Sequence, residues 1–178
     1  METIDAHTPE RGNSAFYLDA LRTAQTGDVR QVVALIDSPD VLVRREAVKQ
    51  IRKRRLVDAA PRLERLVAED DELKLTAMLA LEKLALPSSR ALFLRELQDE
   101  RLRLAALRGL LEIGAPEAVA GGEEVYRTGG DTVTREVALY VLARAGADDV
   151  LRRLLDEEPS WRWRRKIRKA IRKAERMD

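Results

Sequence analysis

Five segments of this chain share one phrase, and its spacing restricts the fold more than any other feature. Each has a basic residue, a small or apolar residue three later, and an aliphatic four beyond that. The sets are Arg44, Ala47 and Ile51; Lys74, Ala77 and Leu81; Arg103, Ala106 and Leu110; Arg135, Ala138 and Leu142; and, more degenerate, Arg164, Ile167 and Ile171. The basic anchors stand 30, 29, 32 and 29 residues apart, which is too regular for chance. Each phrase has the i, i+3, i+4, i+7 periodicity of an amphipathic helix. Between the phrases lie shorter apolar segments that read as second helices. The pattern predicts helices near 15–25, 28–36, 41–54, 59–69, 72–84, 88–99, 101–113, 116–127, 132–145, 148–157 and 161–176. Pro39, Pro61, Pro87, Pro116 and Pro159 fall at or near the predicted starts, where a missing N–H costs little. Gly27, Gly114, Gly129, Gly130 and Gly146 fall in predicted turns. No stretch alternates like a half-buried strand, so the fold class is all-α.

Helix pairs of this kind cannot bury both faces alone, so neighbours must stack around a continuous core. On the phrase Asp-x-x-x-Arg-x-x-Ala-x-x-x-Leu, the chain resembles the HEAT-repeat family in its short bacterial form of about thirty residues, also known from phycobiliprotein lyases. The resemblance covers roughly residues 15 to 176. It implies a right-handed α-solenoid of about five stacked antiparallel helix pairs plus a C-terminal capping helix. The acidic members are Asp40, Asp70, Asp99 and Asp131, four residues before Arg44, Lys74, Arg103 and Arg135; Ser160 replaces the acid before Arg164. In the family these positions form a ladder along the stack. From the residues alone, an aspartate at a helix start caps free N–H groups and suits the positive end of the dipole. An i, i+4 acid–base pair would add about 0.2–0.5 kcal/mol, so structure is reason enough for the whole set.

Charge supplies the functional hints. The chain of 178 residues is 36% charged with a net charge of +2, but that balance is uneven. From Trp161 onward nine basic residues face only Glu175 and Asp178, a net +7 that leaves −5 for the other 160 residues. Such asymmetry between body and end marks an interaction element. Arg162, Arg165, Lys166, Arg168, Lys169, Arg172 and Lys173 would cover the outer side of a final helix whose stripe is Trp163, Ile167, Ala170, Ile171 and Ala174. Read structurally, this helix closes the core and its charges are solvated. Read functionally, its basic side meets an acidic protein surface or nucleic-acid phosphates. Trp161 cannot share a helical face with Trp163; it either packs on the preceding repeat or stands exposed as an anchor beside Arg162 and Arg165. A secondary basic patch comprises Arg45, Arg52, Lys53, Arg54 and Arg55, more cations than a helix C-terminus needs for its dipole. Gly121-Gly122 either kinks the helix after Pro116 or allows close backbone approach, and the fourth repeat reads as irregular.

Other classes are excluded more directly. There are no cysteines and one histidine, His7, so thiolate or multi-imidazole metal sites and histidine-based catalysis have no candidates. No carboxylate pair stands out as a general base. No apolar run approaches the roughly 20 residues of a membrane span. Met1 to Asn13 has neither a basic start nor an apolar centre, so no signal peptide is expected, and a soluble cytoplasmic chain is. That segment lacks apolar periodicity and reads as a flexible N-terminal stretch, followed by a single domain over 14–178. The expected function is a non-catalytic scaffold or adaptor that presents a concave inner face, formed by the shorter second helices, and a basic C-terminal helix to another protein with an acidic surface; no cofactor, metal or small-molecule substrate is implied. The alternative is nucleic-acid binding through the basic C-terminal helix. A second alternative comes only from the resemblance, since some HEAT-like arrays are bilin lyases or DNA glycosylases. The glycosylases use aromatics and an aspartate in a groove, whereas aromatic residues here are only 4%.

Overall fold

Aspartates set where many of the helices begin. A computed structural model describes residues 14–176, with side chains described from Tyr17 onward; the N-terminal segment predicted to be flexible, and His7 in it, lie outside the described residues. The carboxylates of Asp28, Asp40 and Asp131 accept hydrogen bonds from free N–H groups at the starts of three helices. Asp70 and Asp99 do the same one turn earlier: Asp70 accepts from the N–H groups of Glu72 and Leu73, and Asp99 from that of Arg101. The helices expected from 72 and 101 therefore open as capped turns and become regular at Lys74 and Arg103. Helix ends are equally uniform. Eleven residues after each of the first four anchors, the backbone enters the left-handed region, at Arg55 (φ 54°), Ala85 (φ 52°), Gly114 (φ 69°) and Gly146 (φ 65°). A left-handed residue there satisfies carbonyls of the last turn and stops the helix.

The described residues form eleven α-helices and no strand. In chain order these are α1 (Ser14–Thr26), α2 (Val29–Ala34), α3 (Val41–Arg54), α4 (Ala60–Glu69), α5 (Lys74–Leu84) and α6 (Arg90–Glu96), then α7 (Arg103–Glu112), α8 (Glu117–Thr128), α9 (Thr132–Arg144), α10 (Asp148–Glu157) and α11 (Trp161–Ala174). Short 3₁₀ turns at Leu35–Asp37, Val57–Ala59 and Pro87–Ser89 bring the chain round between them. The odd-numbered helices each pack on the next, α1 on α3 and so on to α9 on α11. Each even-numbered helix packs on the odd helix that follows it. The last helix, read from the sequence as a cap on five pairs, is thus itself paired with α10.

This packing explains the repeated phrase. The small residue three after each anchor, Ala47, Ala77, Ala106 or Ala138, is fully buried. The aliphatic residue four further on, Ile51, Leu81, Leu110 or Leu142, is buried with it. A methyl side chain lets a neighbouring helix approach, and the larger aliphatic fills the space a turn later. Ile167 and Ile171 take these two places in α11, and one core cluster runs from Val32 to Ala174. Gly121 and Gly122 serve close approach: α8 runs unbroken through them, and a Cβ on either would lie 3.2 Å from Leu107 or 3.1 Å from Leu142.

Candidate binding face of the C-terminal helix

Pro159 and Ser160 lead into α11. Ser160 occupies the capping position but its hydroxyl makes no capping bond. Its N–H donates instead to Glu158 Oε1 (3.1 Å), and its carbonyl accepts the first helical bond from Arg164. Ile167, Ile171 and Ala174 are buried, with Trp163 and Ala170 half-buried against the core. That inward stripe turns the charged side chains outward.

A largely buried cluster ties this helix to α8 and α9. The Arg135 guanidinium lies between two rings, 4.2 Å from the Tyr126 centroid and 4.1 Å from that of Trp163. The rings meet edge to face at 5.9 Å. Glu158 closes the cluster, accepting from the Tyr126 hydroxyl (2.6 Å) and from Arg135 (2.5 Å). Burial pushes the Tyr126 hydroxyl well above its ordinary value, and its hydrogen bond to Glu158 adds to this. Burial would likewise raise the Glu158 carboxyl, but the bonds from Tyr126, the Ser160 N–H and Arg135 together hold it below the ordinary carboxylate value. Cation, aromatic and carboxylate thus come together where α8, α9 and α11 meet, with Arg135 Nε left without a hydrogen-bond partner.

Outside this cluster lies a cleft of about 850 Å³, lined by Thr132, Ser160, Trp161, Trp163 and the cations Arg162, Arg165, Lys166, Lys169 and Arg172. Trp161 is 68% exposed, which overturns packing on the preceding repeat and leaves the indole free beside the arginines. Lys166 pairs with Glu136 (2.5 Å) and sits 4.3 Å from the Trp163 ring. Lys173 lies 4.7 Å from the Tyr140 ring. Among the described residues Arg162, Arg165, Arg168, Lys169, Arg172 and Lys173 have no carboxylate partner. The residues lining the cleft supply cations, hydroxyls and indoles and no carboxylate, so it can hold negative charge.

The other predicted residues divide by role. The ladder exists, but its rungs join neighbouring repeats rather than residues four apart. Arg44 reaches Asp70 (3.1 Å), Lys74 reaches Asp99 (3.1 Å) and Glu96 (3.7 Å), and Arg135 reaches Glu158. None of these cations pairs with the aspartate four residues before it, whose carboxylate accepts N–H groups at the start of its own helix. Hydrogen bonding to Asp99, followed by the charges of Glu96 and Asp99, raises the Lys74 ammonium against the opposing effect of burial. Arg103 forms no rung; it donates to the Leu97 carbonyl (2.9 Å), while Asp131 is occupied by the Thr134 N–H and hydroxyl. This break falls at the 32-residue spacing. In the secondary patch, Arg45 pairs with Glu72 and Arg54 donates to the Gly27 carbonyl (2.9 Å). Arg52, Lys53 and Arg55 are exposed. With Lys49 and Lys83, Arg52 and Lys53 line a second cleft of about 360 Å³.

Sequence reasoning missed the Tyr126–Arg135–Trp163–Glu158 cluster, because its members lie up to 37 positions apart on three helices and a loop. It also missed Lys83 and Tyr140, although both occupy repeat positions equivalent to flagged cations. No helix among the described residues is long and apolar enough to cross a membrane. No family model and no curated protein matches this chain in sequence.

Proposed function

We propose that the protein is a non-catalytic adaptor in which HEAT-like helix pairs stack as a right-handed solenoid and hold the basic side of α11 against an acidic partner protein. The solenoid reading is supported by the sequential packing of odd helices and by the inter-repeat ladder. The functional reading is carried by the carboxylate-free outer side of α11. Arg165 and Lys169, Arg168 and Arg172, and Lys169 and Lys173 stand four residues apart, and like charges at that spacing disfavour the helix by about 0.2–0.5 kcal/mol per pair. Mixed signs would solvate the surface equally well without that repulsion. A polyanionic partner relieves it, and the planar arginine forks suit paired contacts to carboxylates. Trp161 then supplies an apolar contact at the edge of the charged field.

One observation favours a second reading. An exposed indole among arginines is also what a nucleic-acid base stacks upon. Titrating labelled poly-L-glutamate, a generic DNA duplex and an RNA oligomer at two salt concentrations separates the two. The comparison protein carries Arg165, Lys169, Arg172 and Lys173 changed to Glu, with helicity checked by circular dichroism. The adaptor reading expects poly-L-glutamate to bind, and to be lost in the variant. Preference for a nucleic acid, with a steep salt dependence, would replace it. Binding that the variant leaves intact would overturn both.

A further inference from the structure

The two basic clusters stand far apart in sequence but occupy the same repeat positions. Lys49, Arg52 and Lys53 lie five, eight and nine residues after the anchor Arg44; Lys169, Arg172 and Lys173 lie at the same offsets from Arg164. In a helix these offsets point away from the buried third and seventh positions. Contacts between neighbouring helices at these offsets run from α3 to α7 and again from α9 to α11. Lys83, nine after Lys74, joins Lys49, Arg52 and Lys53 around one cleft. Glu82 and Arg108, eight and five after their anchors, pair between α5 and α7 (3.1 and 3.0 Å). Tyr140, five after Arg135, meets Lys173 of α11 at 4.7 Å.

The middle of this side differs in character from its ends. Leu75 is 41% exposed, and Leu79 on the same helix and Leu104 and Leu111 of α7 are half-buried. Its charges offset one another: Arg108 is paired with Glu82 and Glu136 with Lys166, and the exposed Glu112 and Arg144, each nine residues after its anchor, carry opposite signs. A cationic patch thus stands at each end, with a neutral, aliphatic stretch between them. From α3 to α11 there are four packing steps, roughly 30–40 Å at the usual helix separation.

We infer that this side of the helix row is a two-ended docking surface for an extended polypeptide, acidic at both ends and aliphatic in the middle. At about 3.3–3.6 Å per residue, some ten to twelve residues of extended chain span it. The inference rests on the reading of α11 as a contact for an acidic partner, and adds the second contact and the partner's pattern. A polypeptide fits better than a nucleic acid, whose evenly spaced phosphates would have to cross the leucines, Glu112 and Glu136. A polypeptide of that pattern places carboxylates on the end patches and apolar side chains on the leucines.

The test uses two fluorescein-labelled synthetic peptides of about fourteen residues with identical composition. One carries four glutamates at each end of a leucine-containing centre; the other carries all eight glutamates at one end. A DNA duplex of about twelve base pairs is run beside them. The proteins are the full chain, the α11 charge-reversal variant described above, and a variant with Lys49, Arg52, Lys53 and Lys83 changed to Gln, each checked for helicity. The two-ended peptide is expected to bind the unmodified protein at least tenfold more tightly than the one-ended peptide, and neutralising the α3–α5 patch should erase that advantage. Leu75→Asp should weaken the two-ended peptide severalfold. Equal affinity for the two peptides, still lost on reversing α11, would overturn the two-ended surface and leave the α11 contact standing. Peptide binding that ignores α11, or no peptide binding at all, would overturn the α11 reading as well. A duplex that binds more tightly than either peptide and needs both patches would overturn the polypeptide assignment in favour of nucleic acid.

Discussion

Arg135 shows how one residue type in a repeat can take on several duties. By position it is the fourth ladder cation, yet its guanidinium also fills the gap between Tyr126 and Trp163 and neutralises the buried Glu158. Removing the carboxylate leaves a cation and a hydroxyl without their acceptor, so Glu158→Ala should cost about 2–3 kcal/mol in urea unfolding at neutral pH. The pH dependence has a definite sign. Because the Glu158 carboxyl sits below its unfolded value, its contribution is whole above about pH 5 and is lost as pH falls through the ordinary value near 4.3 and then the lower native one. The stability gap between the unmodified protein and Glu158→Gln should therefore shrink steadily below that range; a constant gap would mean the charge does not matter. Trp161 gives a second residue-level expectation. An indole that is 68% exposed in a cationic cleft should be quenched more strongly by iodide than by caesium. The difference should fall as salt is added, and it is read in a Trp163→Phe background.

Each long helix repeats one design, and departures from it can be tested. The left-handed residue eleven after the anchor is glycine in α7 and α9, but arginine after α3 and alanine after α5. A Cβ in that conformation is strained. Ala85→Gly should therefore raise stability by about 0.5–1 kcal/mol, the relief of strain exceeding the extra chain entropy of glycine, as measured by thermal or urea unfolding. Arg55 bears the same strain and also belongs to the basic patch at the end of α3. The one phrase helix with a glycine in its interior has a local reason. At Gly109 a Cβ would come within 2.6 Å of the buried Phe93 ring, the large side chain that α6 inserts between helices.

Across the whole molecule, the ladder ties repeats together. Asp70 has two tasks: one oxygen caps the turn before α5, and the other takes the Arg44 side chain from the repeat before. Asp70→Ala should cost about 1.5–2.5 kcal/mol, combining a lost cap with a lost part-buried charged hydrogen bond. Asp70→Asn, which keeps a capping oxygen, should cost less. In a double-mutant cycle with Arg44→Met, the coupling should be about 0.5–1.5 kcal/mol. Coupling near zero would show that Arg44 and Asp70 act within their own repeats. The missing rung at Arg103 leaves the junction between the third and fourth repeats without this tie.

Much of the architecture was legible in one dimension because it arises from local and periodic physics. Helix number, helix ends within a few residues, the buried alanine and aliphatic rows and the capping aspartates all follow from spacing, propensity and turn chemistry acting over a few residues. The basic outer side of α11 is legible for the same reason, being a matter of helical phase. Only the tertiary structure decided which acid each ladder cation meets, because an aspartate turned inward to cap its own helix leaves its second oxygen to the repeat before. It alone placed Trp161 in solvent and Trp163 against Arg135, since that choice depends on where α8 and α9 lie. And it alone brought Lys83 of α5 round one cleft with Lys49, Arg52 and Lys53 of α3, and Lys173 of α11 against Tyr140 of α9, because only packing turns equal positions in neighbouring repeats into one surface.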